Sequence, residues 1–431
     1  MLLFFPLLLS LTCAGTTASP VPADLAASWH LDPMYTQHRD VQGLPIIASA
    51  KVHPMALDEA AFLIEHMIGH RPDVLRAMAD HRTRYVIMAC SEFTTDIPEH
   101  RDLYPQSWWD VRARGLGATN TRPAVSCGEE NLLALEGDPY STENILIHEF
   151  AHAIHQMGLV DTDPTFDGKL KQAFANALAT DRWAGTYAAT NRFEYWAEGV
   201  QSWFDTNREN DDLHNAVNTR AELKAYDPPL ADLCALVFGD SDWRYVNPRS
   251  RLPGSDGTTH LANFERATAR RFVRDPGRQQ VYDRENARRM ATKRRTGEST
   301  ANWLNRRITA GCYDAMVDLS RRYRDGDELP RSHALAAEVL GPAVEAGYPP
   351  ALDHLGWLLW RGDAALRNLD RARALFERAA GGGHVRAMLN LGEFDPARAD
   401  VWWNMAAAHG HPEAIERLEA ANPPVPTPDA S

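Results

Sequence analysis

A pair of histidines one helical turn apart puts the tightest limit on how this chain can fold. The stretch Ser141 to Met157, STENILIHEFAHAIHQM, carries apolar residues at Ile145, Leu146, Phe150, Ala153, Ile154 and Met157. That spacing predicts a helix with one buried face, capped at Ser141 or Thr142 and stopped at Gly158. His148 and His152 stand four apart within it, so both rings project from one side, about 6 Å apart, and two ring nitrogens can reach one metal ion. Glu149 completes H-E-x-x-H, where a carboxylate can take a proton from a metal-acidified water without being a ligand itself. Two imidazoles plus one carboxylate form the ligand set of a catalytic zinc site with an open fourth position. The fold must therefore return a third ligand to this helix from elsewhere. Taken alone, H-E-x-x-H is also what a surface helix carries by chance.

Residues Asn191 to Asp205, NRFEYWAEGVQSWFD, offer that ligand on a second predicted helix, whose buried side is Phe193, Trp196, Ala197, Val200, Trp203 and Phe204. Glu194 and Glu198 are four apart and share a face, so one can bind the metal while the other accepts the outer N–H of a zinc histidine. On an isolated helix the same stripe is simply solvated.

Together the two motifs resemble the glutamate-type zincins (gluzincins), and most of all the catalytic domain of the anthrax-toxin lethal-factor type. The resemblance covers about a third of the chain. It implies an α+β, mostly helical, zincin-like catalytic domain with a small sheet, one Zn2+ ion held by His148, His152 and Glu194, and Glu149 as general base. It also implies Glu198 as the carboxylate behind the ligands, and peptide or protein substrates. That family has a tyrosine seven residues before its glutamate ligand, and Tyr187 matches it in GTYAATNRFEYWAE. Its phenol would donate to the oxyanion of the reaction, a buried structural tyrosine being the alternative. By analogy with zincins, an edge strand beside the metal helix would pair with extended substrate, and the turn-rich stretch Ser107 to Leu133 is the candidate hairpin. A metzincin site is excluded, because His155 stands where that group has glycine and Gly158 where it has a third histidine. His155 is then a cleft or core histidine.

The chain opens on MLLFFPLLLSLTCAG, an apolar run of signal-peptide length and too short to span a membrane. Residues 1–18 read as a secretory signal, the chain as secreted or periplasmic without a transmembrane segment, and Cys13 as a lipid anchor in the alternative. Cys90, Cys127, Cys234 and Cys312 follow, and an even count in an exported chain permits two disulfides. Cys90 and Cys127 can brace the cleft as a pair, free buried thiols being the competing reading. No C-x-x-C spacing marks a cysteine metal site. Residues 28–253 form the expected peptidase domain, mainly helical up to a strand at Arg84 to Ala89, and closed by the helix PLADLCALVFG and by Trp243 to Tyr245. Arg112 and Arg114 are expected in surface salt bridges, with a substrate carboxylate as the other possible partner.

Residues 254–307 read as a basic helical linker. From Phe264 to Arg307 there are thirteen Lys and Arg against five Asp and Glu, in a chain of formal net charge −13. A basic stretch on an acidic protein raises nucleic acid as a partner, but the aromatic interleaving of a strand-binding surface is missing, so no nucleic acid is expected. Residues 308–422 repeat themselves. G-x-x-x-A recurs at Gly311/Ala315, Gly347/Ala351, Gly383/Ala387 and Gly410/Ala414, spaced 36, 36 and 27, and Ala336/Leu340/Ala343, Ala372/Phe376/Ala379 and Ala399/Trp403/Ala406 keep the same offsets. Small residues at fixed positions predict helix hairpins that must stack on their neighbours in an α-helical solenoid. The unit resembles Sel1-type repeats, relatives of the tetratricopeptide unit, which implies a protein partner; a structural cap on the peptidase is the other role. Residues 423–431 are proline-rich and expected to be disordered. The expectation is an exported zinc metallopeptidase with a repeat module, and the alternative is an inactive zincin-like fold serving as a scaffold through its repeats.

Overall fold

Five short strands make one mixed sheet in the order β1-β2-β3-β5-β4: β1 Tyr35–Val41, β2 Leu44–Ser49, β3 Arg84–Met88, β4 Gly115–Leu116 and β5 Ala124–Gly128. The computed structural model describes residues 18–295 and 297–421. The leader before Ala18, with Cys13, and the tail 423–431 lie outside them. The central strands β2, β3 and β5 pair in parallel and are buried along their whole length, as strands covered on both faces must be. The helices Pro54–Ile68 and Pro72–Asp80 make the crossover from β2 to β3. Around them the chain is mostly helical, and among the described residues no helix is long and apolar enough to cross a membrane.

Three local expectations need correction. Residues 28–84 are not mainly helical at their start: β1 and β2 form an antiparallel hairpin with Val41 opposite Leu44. Its two turn residues, Gln42 and Gly43, have φ of 53° and 94°, the pattern of a tight hairpin turn that suits strand twist. Gly158 does not stop the histidine helix, which continues as a wider π-helical turn over Ile154–Leu159 with Gly158 packed against Val74 of the crossover helix. The expected disulfides are absent as well, since Cys90, Cys127, Cys234 and Cys312 are all buried free thiols. Burial in apolar surroundings pushes the Cys90 and Cys127 thiols above their usual range, which keeps them protonated and inert.

The basic segment after residue 250 is laid against the sheet-bearing body. Arg251 pairs with the fully buried Glu59 at 2.5 Å, and His260 Nε2 lies 2.7 Å from the same carboxylate. The Phe272 amide donates to Glu136 O at 3.1 Å, Arg278 pairs with Asp110, and Arg289 sits 4.2 Å over Trp108. Much of the positive charge is thus matched within the protein.

The last third stacks helix hairpins, Tyr313–Asp325 with His333–Val339, Pro349–Arg361 with Leu369–Gly381, and Val385–Phe394 with Ala399–Ala408, closed by Pro412–Ala421. The repeat signature has a different cause for each of its two residues. Gly311, Gly347, Gly383 and Gly410 are not inside helices; each has φ between 71° and 83°, the left-handed backbone that ends a helix. Ala315, Ala351, Ala387 and Ala414 lie just inside the next helix and are fully buried. Close helix approach is instead provided by Gly356 and Gly392, which face Phe376 and Trp403 of their partner helices; a Cβ there would fall 2.8 Å and 2.1 Å from those rings.

These repeats dock on the body through a buried ion pair. Arg84 Nε is 2.8 Å from Glu99 Oε1, both side chains about 1% exposed, and Tyr35 Oη donates to Glu99 Oε2 at 2.5 Å. Gly410 lies directly on the Arg84 guanidinium. His409 Nδ1 to Pro98 O at 2.8 Å, Tyr104 to the Gly382 carbonyl and Arg82 to Glu419 complete the contact. Burial opposes ionisation of Glu99, but Arg84 and the Tyr35 bond hold its carboxyl below the usual range. Arg84→Ala should therefore cost about 3–5 kcal/mol, because it strands a buried carboxylate, and a chemical denaturation curve reads this directly.

Two buried histidines make stability depend on pH. Burial pushes His100 down to about 4 and His354 down to about 3. The unfolded chain takes up their protons near pH 6.5 while the folded chain does not, so stability is complete above 6.5 and is lost as pH falls toward 4. By pH 5 the loss should be about 1–2 kcal/mol per histidine, measured as a lower denaturation midpoint at pH 5 than at pH 7, with His100→Asn flattening the dependence.

Candidate metal centre

The histidine helix is observed at Ile145–Ala153, and Asn144, not Ser141 or Thr142, caps it by accepting from Ile147 N at 3.0 Å. Asn131 fixes the same end. Its Oδ1 accepts from Ile145 N at 2.8 Å, and its amide donates to the carbonyls of Tyr140 and Glu143. The second helix, Arg192–Trp203, is capped by Asn191, which accepts from Phe193 N and Glu194 N. A buried hydrogen bond from a core side chain helps join the helices side by side, Trp196 Nε1 to Ala151 O at 2.9 Å. A helix interior offers few free carbonyls, so this bond specifies the register between them.

At that register His148, His152 and Glu194 converge. His148 Nε2 and His152 Nε2 are 3.3 Å apart, and Glu194 Oε2 lies 3.2 Å from the first and 3.4 Å from the second. A tetrahedral zinc site with bonds of about 2.0–2.1 Å has ligand-to-ligand edges of about 3.3–3.4 Å. Two edges of the observed triangle fall on that figure, and the third, at 3.2 Å, is just short of it. With both Nε2–H groups donating to Glu194 Oε2, the two ring nitrogens still face each other at 3.3 Å, like partial charge against like. A cation at the centre of the triangle fits this donor set.

The shell behind the ligands differs from expectation. His148 Nδ1 donates to Gln201 Oε1 at 2.8 Å, while Glu198 Oε1 is 3.7 Å away. The Gln201 amide is oriented by donation to Glu143 Oε2 at 3.0 Å and to Asn144 O at 3.3 Å. With its oxygen turned to His148, Gln201 holds a proton on Nδ1, so the neutral ring would present the Nε2 lone pair to a metal. Glu198 pairs with His214 Nε2 at 3.3 Å, and His214 Nδ1 with Asp211 Oδ1 at 2.8 Å. Gln201 was passed over in the sequence; its one signal is a place seven residues beyond Glu194 on the face of the Glu194/Glu198 stripe. His214 and Glu143 sit on irregular backbone with no periodic signal. His155 stays out of the cluster, buried against Asp167 at 3.3 Å, and burial pushes it down to about 4.

Electrostatics in the site follow from crowding carboxylates around imidazoles. Burial works against a charged His148, but its bond to Glu194 and the charges of Glu149, Glu198 and Glu194 raise it to about 10. Burial likewise opposes a charged Glu194, yet its bonds to both histidines hold it well below the usual carboxylate range. Burial raises the proton affinity of Glu149. These directions describe a cluster that favours positive charge at its centre.

Two adjoining cavities of about 430 Å3 and 380 Å3 meet at this point, both lined by Arg112, Tyr140, His148, Glu149 and Tyr187. The Tyr187 ring stacks 6.5 Å from His148, and its hydroxyl is 3.5 Å from Arg112 Nη2. The hairpin of β4 and β5 flanks the cleft with β4 as the sheet edge. It comes this close because Gly115 and Gly117 lack side chains: a Cβ would meet Ile145 at 2.4 Å and His152 at 2.7 Å. Arg114 is not at the surface as expected but buried, bonded through Nε and Nη2 to Glu130 at 2.6 and 2.9 Å. Arg112 remains at the cleft. Phe272, Arg274, Asp275 and Tyr282 also line the larger cavity, so the basic segment contributes to its wall, which composition alone did not reveal. Gln201→Leu should leave the fold intact and weaken metal binding about 10–100-fold, because His148 loses the partner that orients it; a competition titration with a chelating dye measures it.

No family model matches the chain, and no curated protein matches it. Among solved structures, the chain is similar in part to a Sel1 repeat protein from Oxalobacter formigenes, at 32% identity over 27% of this chain and 95% of that one, with a TM-score of 0.24.

Proposed function

We propose that this protein is an exported zinc-dependent metallopeptidase of the glutamate type, carrying a helical-repeat module for protein contacts. The observation that carries the proposal is the triangle of His148 Nε2, His152 Nε2 and Glu194 Oε2, with edges of 3.2, 3.3 and 3.4 Å. Zinc held there supplies Lewis acidity toward a water and a peptide carbonyl. Glu149 follows His148 on the same helix and lines both cavities. A carboxylate in that place suits a base that takes a proton from the attacking water and delivers it to the leaving amine. Tyr187 stands across the cleft with a hydroxyl free to donate to the developing oxyanion, which is worth several kcal/mol when the donor is preorganised. The free edge of β4 offers main-chain groups to an extended peptide, and the two cavities receive side chains on either side of the cut. The repeats, docked through one side of the stack, present their remaining helices to a partner.

The second reading, an inactive scaffold of the same fold, predicts bound metal without turnover. Metal analysis separates the possibilities. Wild type should hold about one zinc per chain, His148→Ala and Glu194→Ala should lose nearly all of it, and Glu149→Gln should keep metal while turnover drops about 10²–10⁴-fold. A wild-type protein without stoichiometric metal defeats the proposal. If Glu198→Ala strips the metal and Glu194→Ala does not, the two carboxylates have exchanged roles.

A further inference from the structure

Two arginines in the larger cavity have no carboxylate partner among the described residues. Arg112 ends the helix Gln106–Arg112 beside Tyr140 and Tyr187. Its Nη2 donates to Tyr187 Oη at 3.5 Å, and Tyr140 Oη donates to the Arg112 carbonyl at 3.5 Å. Arg274 lines the same wall, and its side chain donates to Gln279 Oε1 at 3.4 Å. Neighbouring arginines are otherwise occupied: Arg114 by Glu130, Arg208 by Asp211 at 2.6 Å and Arg278 by Asp110. A guanidinium that faces a cleft among phenols keeps its planar fork available for two oxygens of a ligand.

We propose that Arg112 binds a carboxylate carried by the substrate close to the scissile bond, so that the enzyme cuts acidic peptides in preference to neutral ones. This rests on the peptidase function proposed above and specifies its substrate. Tyr187 sets the distance, since its ring stacks 6.5 Å from His148 while its hydroxyl touches Arg112. A carboxylate held by Arg112 then sits about one or two residues of extended chain from a carbonyl placed at the histidines. Arg274 adds a second positive charge on the same side. The carboxylate is either the side chain of an internal Asp or Glu or the α-carboxylate of a peptide terminus, and both offer the same pair of oxygens.

The test uses the full-length zinc-loaded protein. Cuts are first mapped by mass spectrometry on a mixed peptide digest, and two matched pairs are then built around the preferred cut, Glu against Gln near it and free against amidated C-terminus. Wild type should favour the carboxylate member of one pair by about tenfold or more in kcat/KM, chiefly through KM, and the pair that responds identifies the source. Arg112→Ala should shrink that ratio toward one, Arg112→Lys should retain part of it, and Arg112→Glu should turn the preference toward a Lys-bearing peptide. Equal rates on both members in wild type overturn the inference, as does an Arg112→Ala loss that falls equally on acid and isostere, which would make Arg112 a positioning residue for Tyr187. A metal-loaded wild type that cuts no peptide in the digest instead overturns the peptidase function itself.

Discussion

The bond from Trp196 Nε1 to the Ala151 carbonyl, together with the Gln201 amide spread over Glu143, Asn144 and His148, sets the register of two helices that lie about forty residues apart in the chain. The rest of the site depends on that register. A helix shifted by one residue turns its side chains about 100° away, and Glu194 would no longer reach the two histidines. Trp196 is fully buried against Phe166 and Phe238, so the same side chain that sets the register also anchors the core. Packing and site geometry are one constraint here.

That convergence carries an electrostatic burden. Glu143, Glu149, Glu194 and Glu198 surround two largely buried imidazoles. Like charges so close repel, and only a central positive charge makes the arrangement favourable. Protons on the imidazoles serve in the absence of metal, which is why His148 is raised so far; a divalent cation serves the same end with its geometry matched to the triangle. The sheet edge adds shape to the charge, because the glycines of the hairpin bring β4 against the histidine helix and leave a cleft open on both sides.

The repeats and the basic segment are built into the body. Gly410 rests on the Arg84–Glu99 pair, and Phe272 lies in the same core cluster as the histidine helix, with Arg114 stacked 4.4 Å over it. Several arginines of the basic segment are matched within the protein, Arg278 to Asp110 and Arg289 to the Trp108 face among them. The docking contacts use the turns at Gly382 and at His409–Gly410, so the residues that end the repeat helices also present carbonyls and a histidine to the body.

By itself the sequence determined what depends on local spacing. H-E-x-x-H with apolar flanks requires a helix with both histidines on one side, E-x-x-x-E does the same for the carboxylates, and a 36-residue period with small residues requires stacked hairpins. These follow from 3.6 residues per turn and need no partner. What depends on contacts between distant segments was decided only in three dimensions. Gln201 in place of Glu198 as the partner of His148, the free thiols, the buried Arg114 and the wall that residues 272–282 lend to the cavity all follow from which surfaces meet. The β1–β2 hairpin stands between the two cases. Its Gln42-Gly43 turn was passed over in the sequence, and strands without strict alternation, buried whole in the case of β2, have a period that cannot be told from a buried helix until their neighbours are in place.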